Sequence, residues 1–352
     1  MHIRTPPDSY TELGGTKLKG SNRRQNRLKT AIFIISLTLC FTVAGLPALA
    51  ENTLKISAEN SPPIAENIEI CTFRNIEITG TLAAVDPEGD EVSFEITRPP
   101  KKGALTPLED GMFIYQPGKG EKGKDSFSYV AVDCEGNVSR EATVNISIKK
   151  QSTKLTYSDT DGSSAAYAAL VLAEKGVFTG EKLGDEYFFK PDAKVTRSEF
   201  LAMCLKLSGA EPLNGIVRTG FYDDDAIPTW AKPYISTALM SGMITGYKDE
   251  AGKLVFSPGR PITFSEASVI LNNALKITDV VTVAAIQPDD PAVPTWAYTA
   301  AVNLVSCRIL PTAISNLYSE TLTRADAAKM LLSASELLEN RDSGKSLLNW
   351  AK

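Results

Sequence analysis

Val195-Thr196-Arg197-Ser198-Glu199, Ile262-Thr263-Phe264-Ser265-Glu266 and Leu322-Thr323-Arg324-Ala325-Asp326 are one phrase written three times. Each precedes an apolar run with helical spacing. A threonine followed three residues later by an acid is the mark of a capping box: the hydroxyl takes a free amide of the first turn, and the acid reaches back to the cap. The box residues are Thr196 and Glu199, Thr263 and Glu266, and Thr323 and Asp326. The threonines stand 67 and then 60 residues apart, a period that signals one supersecondary unit reused to share a core.

Working outward, Ala-rich helical runs over 165–175, 231–241 and 297–306 precede the boxes, and second helices follow them over 197–208, 264–276 and 324–338. Each unit therefore reads as helix, loop, helix. Acidic turns lie upstream: Tyr157-Ser158-Asp159, Phe221-Tyr222-Asp223-Asp224-Asp225 and Gln287-Pro288-Asp289-Asp290. The last two lead into Trp230 and Trp296. Capping alone stabilises a helix by about 1 kcal/mol and needs no function. Arg197 and Arg324, however, put a cation at a helix start, where it opposes the dipole. Beside exposed amides such an arginine makes a carboxylate or phosphate clamp. Trp230 and Trp296 can offer a face to a sugar ring while Asp223 and Asp289 accept from its hydroxyls; equally, both tryptophans can be core residues that open a helix.

At the other end, Arg23, Arg24, Arg27 and Lys29 precede an apolar run over 31–46 that ends in Pro47-Ala48-Leu49-Ala50. A basic, an apolar and a small-residue region in that order predict an export leader cleaved after Ala50, with an uncleaved anchor as the alternative. No later stretch has the length and apolarity of a membrane span, so none is expected to meet the membrane after cleavage. Loss of the leader's seven basic and two acidic residues takes the net charge from −5 to −10, which disfavours nucleic acid as a partner. The one histidine, His2, leaves with it, which excludes Ser-His-Asp, Cys-His and His-ligated zinc chemistry. Cys71, Cys134, Cys204 and Cys307 remain, without a C-x-x-C pair. Cys71 and Cys134 share one predicted domain and can form a disulfide in an exported protein; the other two read as buried small hydrophobes.

Residues 62–149 alternate with a period of two, as in Val92-Ser93-Phe94-Glu95-Ile96, Ser126-Phe127-Ser128-Tyr129-Val130 and Ala142-Thr143-Val144-Asn145-Ile146. Turn signals such as Asp86-Pro87-Glu88-Gly89-Asp90 separate these stretches and predict a β-sandwich. Pro62-Pro63-Ile64-Ala65, Gly80-Thr81-Leu82, Asp86-Pro87-Glu88-Gly89-Asp90 and Gly123-Lys124-Asp125-Ser126-Phe127-Ser128-Tyr129 together resemble bacterial Ig-like/cadherin-like surface repeats. Asp86, Glu88 and Asp90 are candidate calcium ligands, or simply a polar turn stiffened by Pro87. The expected core is Ile78, Leu82, Phe94, Ile96, Phe113, Tyr115, Phe127, Tyr129, Val144 and Ile146.

The three C-terminal units are similar to S-layer homology repeats, whose pattern runs F-x-D-V, W-A-x-x-x-I, G-[YF], then T-R-A-E. The resemblance implies an all-α, three-repeat, pseudo-threefold bundle, so the expected fold is an all-β sandwich followed by that bundle. The resemblance also implies attachment to the bacterial cell wall through a secondary cell-wall polysaccharide, often pyruvylated, and with the catalytic hardware missing the chain is expected to be no enzyme. Carried over by position, Arg197 and Arg324 would hold the anion, with Asp223, Trp230, Asp289 and Trp296 around the sugar. The copies differ: unit one has Ser164 in place of the tryptophan, unit two has Phe264 in place of the arginine, and unit three keeps Trp296 and Arg324. The expected organisation is a leader 1–50, linker 51–61, sandwich 62–149, hinge 150–156, repeats 157–214, 215–280 and 281–338, and tail 339–352. Two other readings are a self-associating surface-lattice protein and a wall-active carbohydrate enzyme built on paired carboxylates.

Overall fold

A computed structural model describes residues 60–277, 293–311 and 317–342. The expected leader with its cleavage site at Ala50, the acidic turn of unit three with Asp289, and most of the expected linker and tail lie outside them.

The first part is a two-layer β-sandwich, built because alternate residues of each strand turn inward. One sheet has the order β2 (Ile68–Phe73), β9 (Ala142–Lys149), β8 (Gly123–Val132), β5 (Ser93–Arg98), with β2 parallel to β9 and the other pairs antiparallel. The second has the order β3 (Ile78–Thr81), β7 (Met112–Pro117), β6 (Gly103–Pro107). A short ladder joins β1 (Ile64–Ala65) to β4 (Ala84–Val85). Leu82, Phe113, Tyr115, Phe127, Tyr129, Val144 and Ile146 fill the interior with Ala142 and Ile148, and Ile78, Phe94 and Ile96 pack against them half-buried. Phe113 and Phe127 meet edge to face, ring centroids 5.0 Å apart. One buried acid, Asp125, is fully engaged: it accepts from Lys101 N at 2.9 Å, Lys102 N at 2.8 Å and the Tyr115 hydroxyl at 2.7 Å. Burial opposes its ionisation, but these donors outweigh that and hold its carboxyl below the usual range.

Cys71 and Cys134 are not joined. Cys71 pairs with Ser147 and Ser147 with Lys124, near one end of β8, whereas Cys134 follows Val132 at the other end. Eight strand residues separate the two ends, roughly 26 Å, and a disulfide needs the Cα atoms within about 7 Å.

The second part corrects the expectation of an all-α bundle. Its helices are α1 (Ala166–Glu174), α2 (Arg197–Leu207), α3 (Lys232–Met240), α4 (Phe264–Leu275), α5 (Tyr298–Ser306) and α6 (Arg324–Asp342). Two β-hairpins lie among them, β10 (Glu181–Leu183) with β11 (Glu186–Phe188), and β12 (Tyr247–Lys248) with β13 (Leu254–Val255). Short 3-10 turns cover Asp224–Ala226 and Leu317–Ser319. The hairpins occupy what the periodicity leaves as loops: few alternating residues flank glycine turns such as Gly184 and Gly252, whose φ of 64° and 76° suits glycine.

The centre is strand-like too. Val195 N donates to Leu322 O at 3.1 Å, Leu322 N to Ile262 O at 2.9 Å, and Ile262 N to Val195 O at 2.9 Å. The three residues preceding the capping threonines thus close a ring of backbone hydrogen bonds, and each side chain is at most 1% exposed. Around the ring, helices pair between units: α2 with α3, α4 with α5, and α6 with α1. Their buried faces form one cluster that also takes in Phe73 of the sandwich, whose ring lies 5.1 Å from that of Tyr167 on α1.

Replacing Leu322 by alanine should cost about 2–5 kcal/mol in denaturant unfolding, the range for a large-to-small change at a fully buried aliphatic position. Because the ring is shared, all three units should melt earlier in native-state hydrogen exchange.

Candidate functional site

All three capping boxes form. Glu199 N donates to Thr196 Oγ1 at 3.3 Å while Glu199 accepts from Thr196 N at 2.8 Å, and Thr263 with Glu266 repeats the pattern. Asp326 N donates to Thr323 Oγ1 at 3.1 Å and Asp326 accepts from Thr323 N at 2.9 Å. The amides ahead of the box acid are spent on a neighbouring unit: Arg197 N on Arg260 O at 3.0 Å, Ser198 N on Pro258 O at 3.2 Å, Arg324 N on Ala193 O at 2.8 Å and Ala325 N on Pro191 O at 2.9 Å. No helix-start amide of α2 or α6 is therefore left for an anion, and any clamp rests on side chains.

Those side chains reach across units. Arg197 is 6% exposed and runs under the hairpin of unit two, donating from Nε to Phe256 O at 2.9 Å and lying 3.0 Å from Glu266. Its guanidinium sits 5.1 Å from the Phe256 ring centroid and 5.9 Å from that of Tyr247. Burial pushes the guanidinium below its ordinary value; nearby Arg260 adds to this and Glu266 opposes it. The half-exposed Arg260 shares Glu266 and also faces Tyr247, at 5.9 Å. The glutamate that caps α4 thus bridges two arginines.

Above this cluster opens a groove of about 540 Å³, lined by Arg197, Tyr247, Arg260, Glu266 and Asn273, with Trp296 at its edge. Trp296 is 62% exposed. It reaches the groove because α5, which it precedes, packs on α4. Arg324 lies elsewhere, with Nη1 donating to Phe189 O at 3.2 Å and Nη2 3.0 Å from Glu181. The arginine and tryptophan of unit three are thus not neighbours in one groove: Trp296 joins the arginine of unit one. Trp230 is exposed, packs edge-on against Tyr234 at 6.5 Å and does not line the groove.

Asp223 is engaged in the backbone. Its two oxygens accept from Phe256 N at 2.9 Å and Ser257 N at 2.7 Å, and Asp159 clasps Phe189 N at 2.8 Å and Lys190 N at 2.7 Å in the same way. The clasped Ser257 and Lys190 have φ of 55° and 56°, a left-handed turn that non-glycine residues hold only when restrained. In the sandwich, Asp86 Oδ1 accepts from Glu88 N at 3.0 Å and Asp90 N at 3.1 Å, and Glu88 accepts from Ser61 N. Among the described residues, no three acidic, histidine or cysteine side chains stand together as a metal site.

Sequence reasoning passes over Arg260 and gives Tyr247, the aromatic of the G-[YF] element, no binding role. A usable signal exists in the alignment of units: Tyr247 follows Gly246 as Glu181 follows Gly180. Both glycines are obligatory, since a Cβ would meet Val255 O and Phe221 at Gly246, or Phe188 O and Tyr157 at Gly180.

A β-sandwich joined to helical units built on a shared backbone ring defines a modular protein. Residues 60–150 match the family model described as bacterial cadherin-like domain, and residues 156–201 and 220–268 match that of the S-layer homology domain. The chain carries a bacterial cadherin-like domain followed by S-layer homology domains, and is an exported protein of the cell surface. It is 32% identical over 128 residues to Cell surface glycoprotein 1 of Acetivibrio thermocellus, covering 34% of this chain and 5% of that protein. Over 117 residues it is 31% identical to the Surface-layer 125 kDa protein of Lysinibacillus sphaericus, covering 32% of this chain and 9% of that one. The chain thus spans less than a tenth of either relative. Fibronectin(III)-like modules of Clostridium thermocellum CbhA match 27% of the chain and 51% of their own at 17% identity and a TM-score of 0.19, too slight a likeness to carry an argument. Among the described residues, no helix is long and apolar enough to cross a membrane.

Replacing Asp223 by asparagine should lower stability by about 1–3 kcal/mol, the cost of leaving a buried donor unpaired, whereas a purely sugar-binding role would leave thermal unfolding unchanged. The neighbouring Asp224 gives a pH test. Lys232 at 2.7 Å draws its carboxyl down, burial opposes this and Thr219 assists, leaving it at about 2. A depressed acid contributes stability above its unfolded value near 3.9, lost as the pH falls towards 2. Asp224→Asn should therefore flatten the unfolding profile between about pH 4 and pH 2.

Proposed function

We propose that the S-layer homology units hold this chain on the bacterial envelope by binding a carboxylate-bearing secondary cell-wall polysaccharide, such as a pyruvylated one, in the groove beside Arg197. The sandwich is then the non-enzymatic module carried at the surface. The observation that supports this most is the groove's composition. Tyr247 and Trp296 offer aromatic faces to the apolar face of a sugar ring. Arg197 and Arg260 share a single carboxylate, Glu266, so the cluster keeps one positive charge unmatched. Arg197 is buried within the protein, and the half-exposed Arg260 meets Glu266 through one nitrogen and turns the rest of its guanidinium to a ligand carboxylate. In a chain of net negative charge, such local donors are how an anionic polymer is held. The surface-layer relative supports the other reading, self-association into a lattice, which predicts ordered sheets without polymer in electron micrographs.

The test is retention of the exported chain on purified cell-wall sacculi, with and without their acidic sugar modification. Arg260→Ala with Trp296→Ala should reduce retention about tenfold or more, and removing the modification should do the same. Trp230→Ala should change nothing. Undiminished retention of the folded double variant would overturn this reading.

A further inference from the structure

Arg197 and Arg324 occupy equivalent places, and among the described residues a roomy groove opens beside Arg197 alone. Gly180 and Gly246 have φ of 73° and 71° and each starts a hairpin, so Glu181 on β10 and Tyr247 on β12 take the same position relative to their arginines. The two sites share a carbonyl acceptor, Phe256 O for Arg197 and Phe189 O for Arg324, and each guanidinium faces an aromatic ring at 5.1 Å, though from different positions, Phe256 and Phe178. Each also has the capping acid of another unit nearby, Glu266 at 3.0 Å from Arg197 and Glu199 at 3.9 Å from Arg324.

They part at the hairpin residue. Tyr247 bonds through its hydroxyl to Ser257 and leaves the groove beside Arg197 open. Glu181 pairs with Lys190, which stands where Ser257 does, and turns its other oxygen to Arg324 at 3.0 Å. The pocket that Arg324 lines with Phe178, Phe189 and Glu199 has a volume of about 10 Å³, against about 540 Å³ for the groove at Arg197. Lys190, and then Arg324, hold the Glu181 carboxyl below its ordinary range, so it is charged at neutral pH. Phe264 fills the third position and offers no cation.

We infer that Glu181 is an internal stand-in for a ligand carboxylate, which keeps the Arg324 clamp occupied and leaves this chain one working acidic-sugar groove and one latent site. The inference rests on the groove reading only for the class of ligand. A carboxylate tethered to the same fold competes at high effective concentration, so a free acidic sugar meets Arg324 already paired. Arg324 is then a binding residue held in reserve, and removing one carboxylate makes the site available.

The experiment titrates the unsubstituted protein, Glu181→Gln and Glu181→Tyr with methyl glucuronoside, a simple hexose bearing a carboxylate. Resonances of the Arg324 Nε–H and Trp296 indole N–H are followed by NMR. Arg324 should respond in both variants, with an affinity about fivefold or more above that in the unsubstituted protein. The tyrosine variant guards against a folding defect specific to glutamine. Arg324 responding equally in all three proteins, or silent in both variants, overturns the inference. A silent Trp296 in the unsubstituted protein, with Arg324 responding in the variants, overturns the groove reading and leaves Glu181 as the stand-in at Arg324.

Discussion

Three backbone hydrogen bonds, from Val195 to Leu322, from Leu322 to Ile262 and from Ile262 to Val195, are the constraint on which the helical part depends. Their residues are buried, where an unpaired amide is costly, and each finds its partner only in another unit. Because a threonine follows each ring residue, the ring places three helix starts side by side. That proximity lets the first amides of α2 and α6 find carbonyls in the neighbouring unit. It also explains the box acids. Glu199 and Glu266 each cap their own helix and reach the arginine of another unit, a double task that needs the longer side chain. Asp326 caps α6 through Thr323, a single task for which the shorter acid suffices.

What can be read in the sequence is what is local. Capping boxes lie within four residues, and all three form at the expected positions. The alternation of β9 and β8 reveals most of the sandwich core, because a strand's period fixes its inward face without knowledge of its neighbours. The predicted helix spans agree with the structure to within a residue at most ends. The hairpins escape sequence reading because two or three paired residues on either side of a glycine turn leave too short a pattern, so an all-α reading prevails over a mixed one.

The groove is less legible for a different reason. Arg197 and Trp296 are 99 residues apart and meet only because α5 packs on α4 while α2 starts beneath the hairpin of unit two. Grouping residues by repeat therefore pairs Trp296 with Arg324, whereas the fold groups them by interface. The same regrouping changes the meaning of Asp223, which looks like a sugar acceptor beside Trp230 in sequence and is a clasp for Ser257 in space. The odd cost of an arginine at a helix start has an internal explanation as well: a carbonyl, an aromatic ring and a glutamate from another unit surround it.

The sandwich and the helical units share one buried cluster through Phe73 and Tyr167, and Arg308 reaches Glu66, which precedes β2, at 3.1 Å. The short segment between them is itself tied down, with Gln151 Nε2 donating to Leu155 O at 2.6 Å and Thr153 N to Glu174. A drag on the sandwich is thus passed to α1 as shear across packed aromatic rings, rather than taken up by a slack tether. Since α1 pairs with α6, a load on that contact would pass from the first unit to the last, as in a bracket fixed at its root.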